Sequence, residues 1–524
     1  MNYNEQLKIL TEESLIIREF QDNIQDLSRH AVKKIFDLLK YRNYIIAVSH
    51  SNYLISLGGT EKVLHEEQAE FAARQISYIQ IYACHPNDDY NRKIYLNQLV
   101  CVNVDSVPAG SFSIIQLALI LQILSLSRVA HAVAFHLHHL MNLSVHGVRY
   151  LINSVHADKL RVFIHDYYTI CPQFNLLHNG KDFCNGSDDC KDCQFSEKRK
   201  PHLFLLKKFF HNLNADIIAP SAVAADIWKK SYPEHKEHIR VVPHQITVPA
   251  QNRCSREKHD RLRIAYLGYE SVNKGLETWW RLTSDNNIKE RYDFFHLGAS
   301  GMNIPGVQYF PVSFLNEGAD AMVKSLRKYQ IDIAFLWSIW AETYSFTLHE
   351  AFAGNCFVIT SRLSGNIAAQ IKGTSRGIIF DNEAEMFNFL KDVSRVKDAV
   401  RLNFKENSPV DLKFNPQLAI ESAKRLKHTG YEAEPLNQYK YSEECEYLLK
   451  KLEIETHLSR QIGYADKTGD SQINYEEEIC RLKADLDVYH ISKLHRIVES
   501  ARQYMNKNMP VIGNILRKIF FIRH

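Results

Sequence analysis

The chain reads as α/β, with two doubly wound domains facing a cleft and helical extensions at both ends. Three observations carry that reading. Short apolar runs alternate with helical stretches twice over, from Tyr44 and again from Leu262. Repeated βα units of this kind build parallel sheets. A charged, strandless stretch, Val248 to Arg261, separates the two series like a linker. Finally, Ser338 to Thr360 (SIWAETYSFTLHEAFAGNCFVIT) sets Glu342 and Glu350 eight positions apart around a turn of small residues, with an apolar run on each side. Carboxylates at the exit of a buried strand and one helix later face the crevice where open α/β sheets take ligands. The helix start between them offers free N–H groups to a phosphate.

The elements follow in order. Residues up to about Leu39 read as helical. Tyr44 to Val48 is a strand, Gly58 and Gly59 a tight loop, and Thr60 a cap for the next helix. Ile76 to Cys84 and Leu99 to Val104 continue the strands. Phe112 to Leu126 is apolar, but it is short for a bilayer and holds Gln116 and Gln122, so it reads as a buried helix. Val129 to Phe135, Leu160 to Ile164 and Asp216 to Ala219 complete a parallel set. The second series runs Leu262 to Leu267, Tyr292 to Leu297, Ile331 to Trp337, Cys356 to Thr360 and Gly377 to Phe380. From about Tyr439 the chain is charged and helical. The expected organisation is a helical extension over 1–43, one domain over 44–247, a second over 248–438, and a helical tail over 439–524.

Bulk composition narrows the function. The 524 residues are 45% hydrophobic and 24% charged, with 64 Lys plus Arg against 60 Asp plus Glu, a net charge of +4. That balance argues against nucleic acid as a partner. Met1 to Leu15 lacks the apolar core of a secretory signal, so the ten cysteines suit a reducing, cytoplasmic setting. Cys171, Cys184, Cys190 and Cys193, spaced C-x12-C-x5-C-x2-C, are compatible with a structural zinc or with a set of reduced loop thiols. His136, His138 and His139 (HLHHL) have a spacing that allows a metal, and also suit polar lining of a cleft. Asp485-Leu486-Asp487 lies in the charged tail and reads as a solvated face. In the last stretch, Ile512, Ile515, Leu516, Ile519 and Phe520 share a helical face near Arg517, Lys518 and Arg523. That face suits either an anionic membrane surface or docking on protein.

Six ordered landmarks carry a resemblance: SLGGTEK (Ser56–Lys62), FIHDYYTICPQFNLL (Phe163–Leu177), IIAPSAVAADI (Ile217–Ile227), IRVVPH (Ile239–His244), AYLGYESVNKGLE (Ala265–Glu277), and the Ser338–Thr360 stretch. Over roughly Tyr44 to Lys427 the chain resembles glycosyltransferase family 4. The resemblance implies the GT-B fold, two Rossmann-like domains facing a cleft, with a helix near Pro416 to Lys427 crossing back onto the first. It implies a retaining, metal-independent transfer of a sugar from a UDP- or GDP-sugar to a glycan or lipid-linked acceptor. A setting in cell-surface polysaccharide assembly, at the inner face of a membrane, follows by analogy. It gives Glu350 the ribose hydroxyls, Glu342 and His165 the donor sugar, and Lys274 the departing diphosphate. Thr343, Tyr344, Ser345 and Phe346 supply backbone donors, and Gly58 and Gly59 allow close backbone approach. Two positions depart from the family pattern. Ser345 stands where Gly is usual, and Tyr269 stands where an Arg usually joins Lys274, leaving Lys274 alone or paired with another cation such as Arg362. A nucleotide-sugar epimerase or phosphorylase on the same fold, or a non-catalytic binding relative, are the other readings.

Overall fold

A computed structural model describes residues 24–84, 98–126, 130–187, 190–250, 259–408, 410–424, 426, 445–453 and 455–456. The first sheet has eight strands. Its order, by residue range, is Ile239–Val241, Asp216–Ala219, Leu160–Phe163, His131–Leu137, Asn43–Ser49, Ser77–Ala83, Leu99–Val104 and Val107–Ser113. The first six are mutually parallel, and Leu99–Val104 is antiparallel to both its neighbours. The second sheet has six parallel strands in the order Val307–Pro311, Tyr292–Gly298, Leu262–Leu267, Ile333–Leu336, Phe357–Ser361 and Gly377–Phe380. Its central strands Ile333–Leu336 and Phe357–Ser361 are buried throughout and apolar save for Thr360 and Ser361, as a sheet covered on both faces requires. This is the two-domain GT-B arrangement.

Several elements differ from the sequence expectation. The parallel set is interrupted by the hairpin Leu99–Val104 and Val107–Ser113, turned by Asp105 and Ser106 at positive φ. The apolar helix therefore starts at Ile114 rather than Phe112. Thr60 is not the cap of its helix. Gly58 holds that place, with no side-chain cap. Val248 and Pro249 are not linker but the end of strand Gln245–Pro249, which pairs antiparallel with Val410–Phe414. Both chain crossings between the domains thus run through one two-stranded ribbon.

The helix Gln417–Ala423 returns to the first domain. Ala419 packs with Ile45, Tyr53 and Tyr78. Arg161, 1% exposed, donates to Leu418 O at 3.3 Å and Ser422 Oγ at 2.9 Å, and reaches His136 Nε2 at 3.1 Å. Of the tail, residues 445–453 are helical, with Leu449 and Leu452 in the core of the first domain. The terminal amphipathic stretch and Asp485–Asp487 lie outside the described residues. Among the described residues no helix is long and apolar enough to cross a membrane.

Arg161→Ala leaves buried acceptors on both sides of this joint without a donor, and lowers unfolding stability by about 2–4 kcal/mol in urea titration. The half-exposed pair of Arg240 with Glu421 at 2.6 Å is the control. Arg240→Ala costs about 1 kcal/mol or less.

Candidate active site

In each sheet the strand order reverses beside the first strand, and chains leaving the carboxyl ends there diverge into a crevice. In the second sheet that point lies between Leu262–Leu267 and Ile333–Leu336. Lys274 follows the first of these strands and Glu342 the other. In the first sheet it lies between Asn43–Ser49 and His131–Leu137, followed by His50 and by His138–His139. The two crevices open into one cleft of about 900 Å³, large enough for a drug-sized ligand or more. His165, Gly58, Gly59, Lys274, Glu342, Thr343, Tyr344, Ser345, Phe346 and Glu350 all line it.

The loop from Ser338 to Ser345 is held from both domains. Ser361 and Ser364 hydroxyls donate to Ser338 O at 2.7 and 3.0 Å. Asn366 N donates to Glu342 O at 2.9 Å. From the first domain, Tyr167 donates to Ala341 O at 3.0 Å and Ser221 to Thr343 O at 2.7 Å. Thr343 Oγ1 donates back to His165 O at 2.5 Å. Gly365, at φ 58°, passes so close that a Cβ would lie 2.6 Å from the Ala341 backbone. Gly275, at φ 81°, is bound in the same way, because a Cβ would meet Trp337 O at 2.2 Å. Glycine at these two points lets the loops beside Lys274 and Glu342 close on one another.

Ser345 ends this loop as the N-cap of helix Phe346–Ala353, accepting from Leu348 N at 3.2 Å. Its φ of −121° is ordinary extended backbone, so a Cβ is accommodated without strain. The helix begins at Phe346, between the two glutamates as the sequence suggested, which places Glu350 one turn inside it. Ser345, Phe346 and Thr347, at the start of the helix, line the cleft between the two glutamates, where a helix start carries free N–H groups and partial positive charge.

Glu342 is buried and accepts from Ser338 Oγ at 2.7 Å. Burial pushes its carboxyl up, opposed by the charge of Lys274 and by the Ser338 bond. Glu350 is buried against the ammonium of Lys62 at 2.6 Å. Lys274 stands 5.0 Å from the centre of the Tyr269 ring, the residue found where the family resemblance expects an arginine. Arg362 does not replace it. That side chain is exposed, pairs with Asp381, and does not line the cleft.

Behind His165 lies a buried polar network. Glu67, 3% exposed, meets His136 Nδ1 at 2.8 Å and His138 Nε2 at 3.0 Å, and accepts from Tyr78 Oη at 2.8 Å. Burial opposes ionisation of Glu67, yet the two facing imidazoles, by charge and by hydrogen bond, hold it well below the usual carboxylate range. The tautomers follow from the network. Arg161 can only donate to His136 Nε2, so His136 gives its Nδ1–H to Glu67. His138 gives its Nε2–H to Glu67, and its Nδ1 lies 2.9 Å from His165 Nε2. Burial, then the neighbouring histidines, hold the pKa of His165 well below the ordinary value, so the ring is neutral. Stacked rings continue the line from His165 to His244 at 5.4 Å and from His244 to Phe346 at 5.8 Å, crossing from one domain to the other.

The HLHHL segment thus divides. His139 lines the cleft and bonds Asp166 at 3.0 Å, while His136 and His138 are internal. Glu67, His136 and His138 form the one compact group of potential metal ligands among the described residues, and its atoms are occupied by hydrogen bonds to one another, Tyr78, Arg161 and His165. The four loop cysteines are compatible in spacing with a zinc or with reduced thiols, and the structure gives them as free thiols. No three of their sulfurs join in a set within 4.8 Å. Cys171 is buried in the core of the first domain, and Cys190 Sγ accepts from Arg199 at 2.8 Å. Sequence reasoning passed over Lys62 and Glu67. Both sit on helix Gly59–Ala72, whose dense charges look solvated, and only their burial distinguishes them.

No protein-family model matches the chain, and no curated protein matches it in sequence. Solved structures do resemble it. A sucrose-phosphate synthase from Thermosynechococcus elongatus aligns with 12% identity and a TM-score of 0.47, covering 81% of this chain and all of its own. The catalytic domain of starch synthase IV from Arabidopsis thaliana, bound to ADP and acarbose, gives 11%, 0.43, 79% and 99% respectively. WaaG, a glycosyltransferase involved in lipopolysaccharide biosynthesis, gives 10%, 0.41, 78% and 99%. All three TM-scores are below 0.5, and the two-domain architecture stands on the strand order described above.

The raised pKa of Glu342 has a thermodynamic sign. Its contribution to stability is fully present below the unfolded-state pKa and is lost as pH rises through the folded one. At neutral pH the ionised carboxylate weighs against folding. Glu342→Gln keeps the bond to Ser338 and removes the charge. It raises Tm at pH 7 by roughly 2 °C, with the gap closing as pH falls toward about 4. A Tm at pH 7 below wild type would contradict this balance.

Proposed function

We propose that the protein is a retaining glycosyltransferase that moves a sugar from a UDP- or GDP-sugar to a hydroxyl of a glycan or lipid-linked acceptor. One observation carries the reading. The start of helix Phe346–Ala353 opens into the interdomain cleft between buried Glu342 and Glu350, with Lys274 lining the same space. A diphosphate suits the N–H groups and the lysine. Ribose hydroxyls suit a carboxylate acceptor such as Glu350. A donor sugar lying toward the first domain meets Glu342 and the neutral ring of His165, both hydrogen-bonding partners for sugar hydroxyls.

The reaction follows from this placement. The bond from the anomeric carbon to the diphosphate oxygen breaks, and charge grows on that oxygen beside the helix start and Lys274. The acceptor hydroxyl attacks from the same face and gives its proton to the departing diphosphate, so configuration is retained. Glu342 orients donor hydroxyls and supports positive charge at the anomeric carbon. Rate enhancement comes from positioning and from fixed dipoles. This chemistry asks for no metal and no further cofactor. A place at the inner face of a membrane in surface polysaccharide assembly fits a lipid-linked acceptor and remains part of the proposal.

Tyr269 in place of an arginine favours a second reading, a nucleotide-sugar-binding protein that does not turn over. Thermal shift with a panel of UDP- and GDP-sugars separates the cases when product formation is followed in parallel. A donor that raises Tm and releases UDP or GDP in the presence of acceptor supports transfer. Stabilisation without release supports the binding protein, and recovery of an epimerised donor supports an isomerase. Glu350→Gln, which keeps the side-chain shape, weakens donor binding about tenfold or more. No stabilisation by any nucleotide overturns the proposal.

A further inference from the structure

Lys62 is the cation that the nucleotide reading leaves without a task. It comes from the first domain, yet its ammonium is surrounded by groups of the second. It meets Glu350 Oε1 at 2.6 Å and Ala319 O at 3.5 Å, and lies 4.9 Å from the centre of the Phe346 ring and 5.9 Å from that of Phe314. Lys62 and Glu350 are both nearly inaccessible, with side chains 7% and 6% exposed. Among the described residues lining the cleft, Lys62 and Lys274 are the only lysines or arginines, against Glu61, Asp166, Glu342 and Glu350. An anionic ligand therefore has two cations to meet it.

A buried pair of this kind is roughly neutral for folding, since desolvating both ions offsets their attraction. Stability alone does not account for it. Phe346 is the first residue of the helix whose start opens between the two glutamates, so Lys62 stands beside that first turn. Its ammonium has three donors. One is spent on Glu350 and one reaches weakly toward Ala319.

We infer that Lys62 is a second phosphate-binding cation of the nucleoside diphosphate site, supplied across the cleft by the first domain and held ready on Glu350. The inference rests on the nucleotide-sugar reading above. With nucleotide bound, Lys62 turns a donor to a diphosphate oxygen, and Glu350 accepts ribose hydroxyls. Lys62 then fills the electrostatic place that Tyr269 leaves open next to Lys274. One side chain thereby links phosphate recognition to contact between the domains.

The test compares affinities for uridine with UDP, and guanosine with GDP, by calorimetry on the full chain. In wild type the diphosphate adds affinity over the nucleoside. Lys62→Met removes about 10- to 100-fold of that increment, leaves nucleoside affinity nearly unchanged, and Lys62→Arg restores most of it. Because Lys62→Met leaves Glu350 buried without a partner, the same increment is measured in Lys62→Met/Glu350→Gln, which strands no charge, against Glu350→Gln, in which Lys62 keeps its charge and can meet only the phosphate. An unchanged increment in both backgrounds overturns the inference while leaving the nucleotide reading intact. Equal loss for nucleoside and diphosphate also overturns it and makes Lys62 a partner of Glu350 only. Failure of wild type to bind any of the four ligands overturns both.

Discussion

A carboxylate taken out of water must find its stabilising groups inside the protein, and four glutamates between these two sheets are in that position. Each is satisfied differently. Glu61 receives the Ser51 hydroxyl and faces His50 at 3.4 Å. Glu67 is met by two imidazoles and a tyrosine hydroxyl. Glu342 keeps one serine and a raised pKa. Glu350 has a lysine from the other domain. The differences set the chemistry available at each point: an inert anchor at Glu67, a responsive carboxylate at Glu342, and an exchangeable pair at Glu350. Because the partners come from both domains, neither domain alone presents the complete set.

The anchor at Glu67 has effects at a distance. An ionised carboxylate deep in the first domain takes the Nε2–H of His138, and His138 in turn bonds His165. The placement of the His165 ring at the cleft thus depends on a residue outside it. Arg161 enforces the same orientation from the far side of His136 and also ties down the returning helix, so packing of that helix and ring polarity share a residue.

How far the sequence revealed this depended on the kind of signal. The buried strands were legible because a parallel sheet covered on both faces demands apolar runs, and Ile333–Leu336 and residues 357–359 have them. The sites at their carboxyl ends came with them, since Glu342, Lys274 and His165 each follow such a run. Val107–Ser113 and Val307–Pro311 carry Pro or Gly and alternate poorly, so nothing local marked them as strands. Lys62 and Glu67 were hidden by their helix, whose many charges resemble a solvated surface until the opposite domain is present. Cysteine spacing left zinc and free thiols both open because separation along a loop says nothing about where each sulfur points: Cys171 turns into the core.

The ribbon of Gln245–Pro249 with Val410–Phe414 constrains how the molecule moves. Two chain crossings zipped into one ladder behave as a strap. The domains can pivot about it, but sliding past one another would break its register. Opening by such a pivot separates Tyr167 from Ala341, Ser221 from Thr343, Thr343 from His165, and Lys62 from Glu350. The first three are short polar contacts that water replaces at small cost. The last exposes two full charges, which water solvates strongly. Among the described residues ionic strength therefore acts on the degree of opening chiefly through this pair, and the geometry of the strap turns that local electrostatic balance into an angle between two domains.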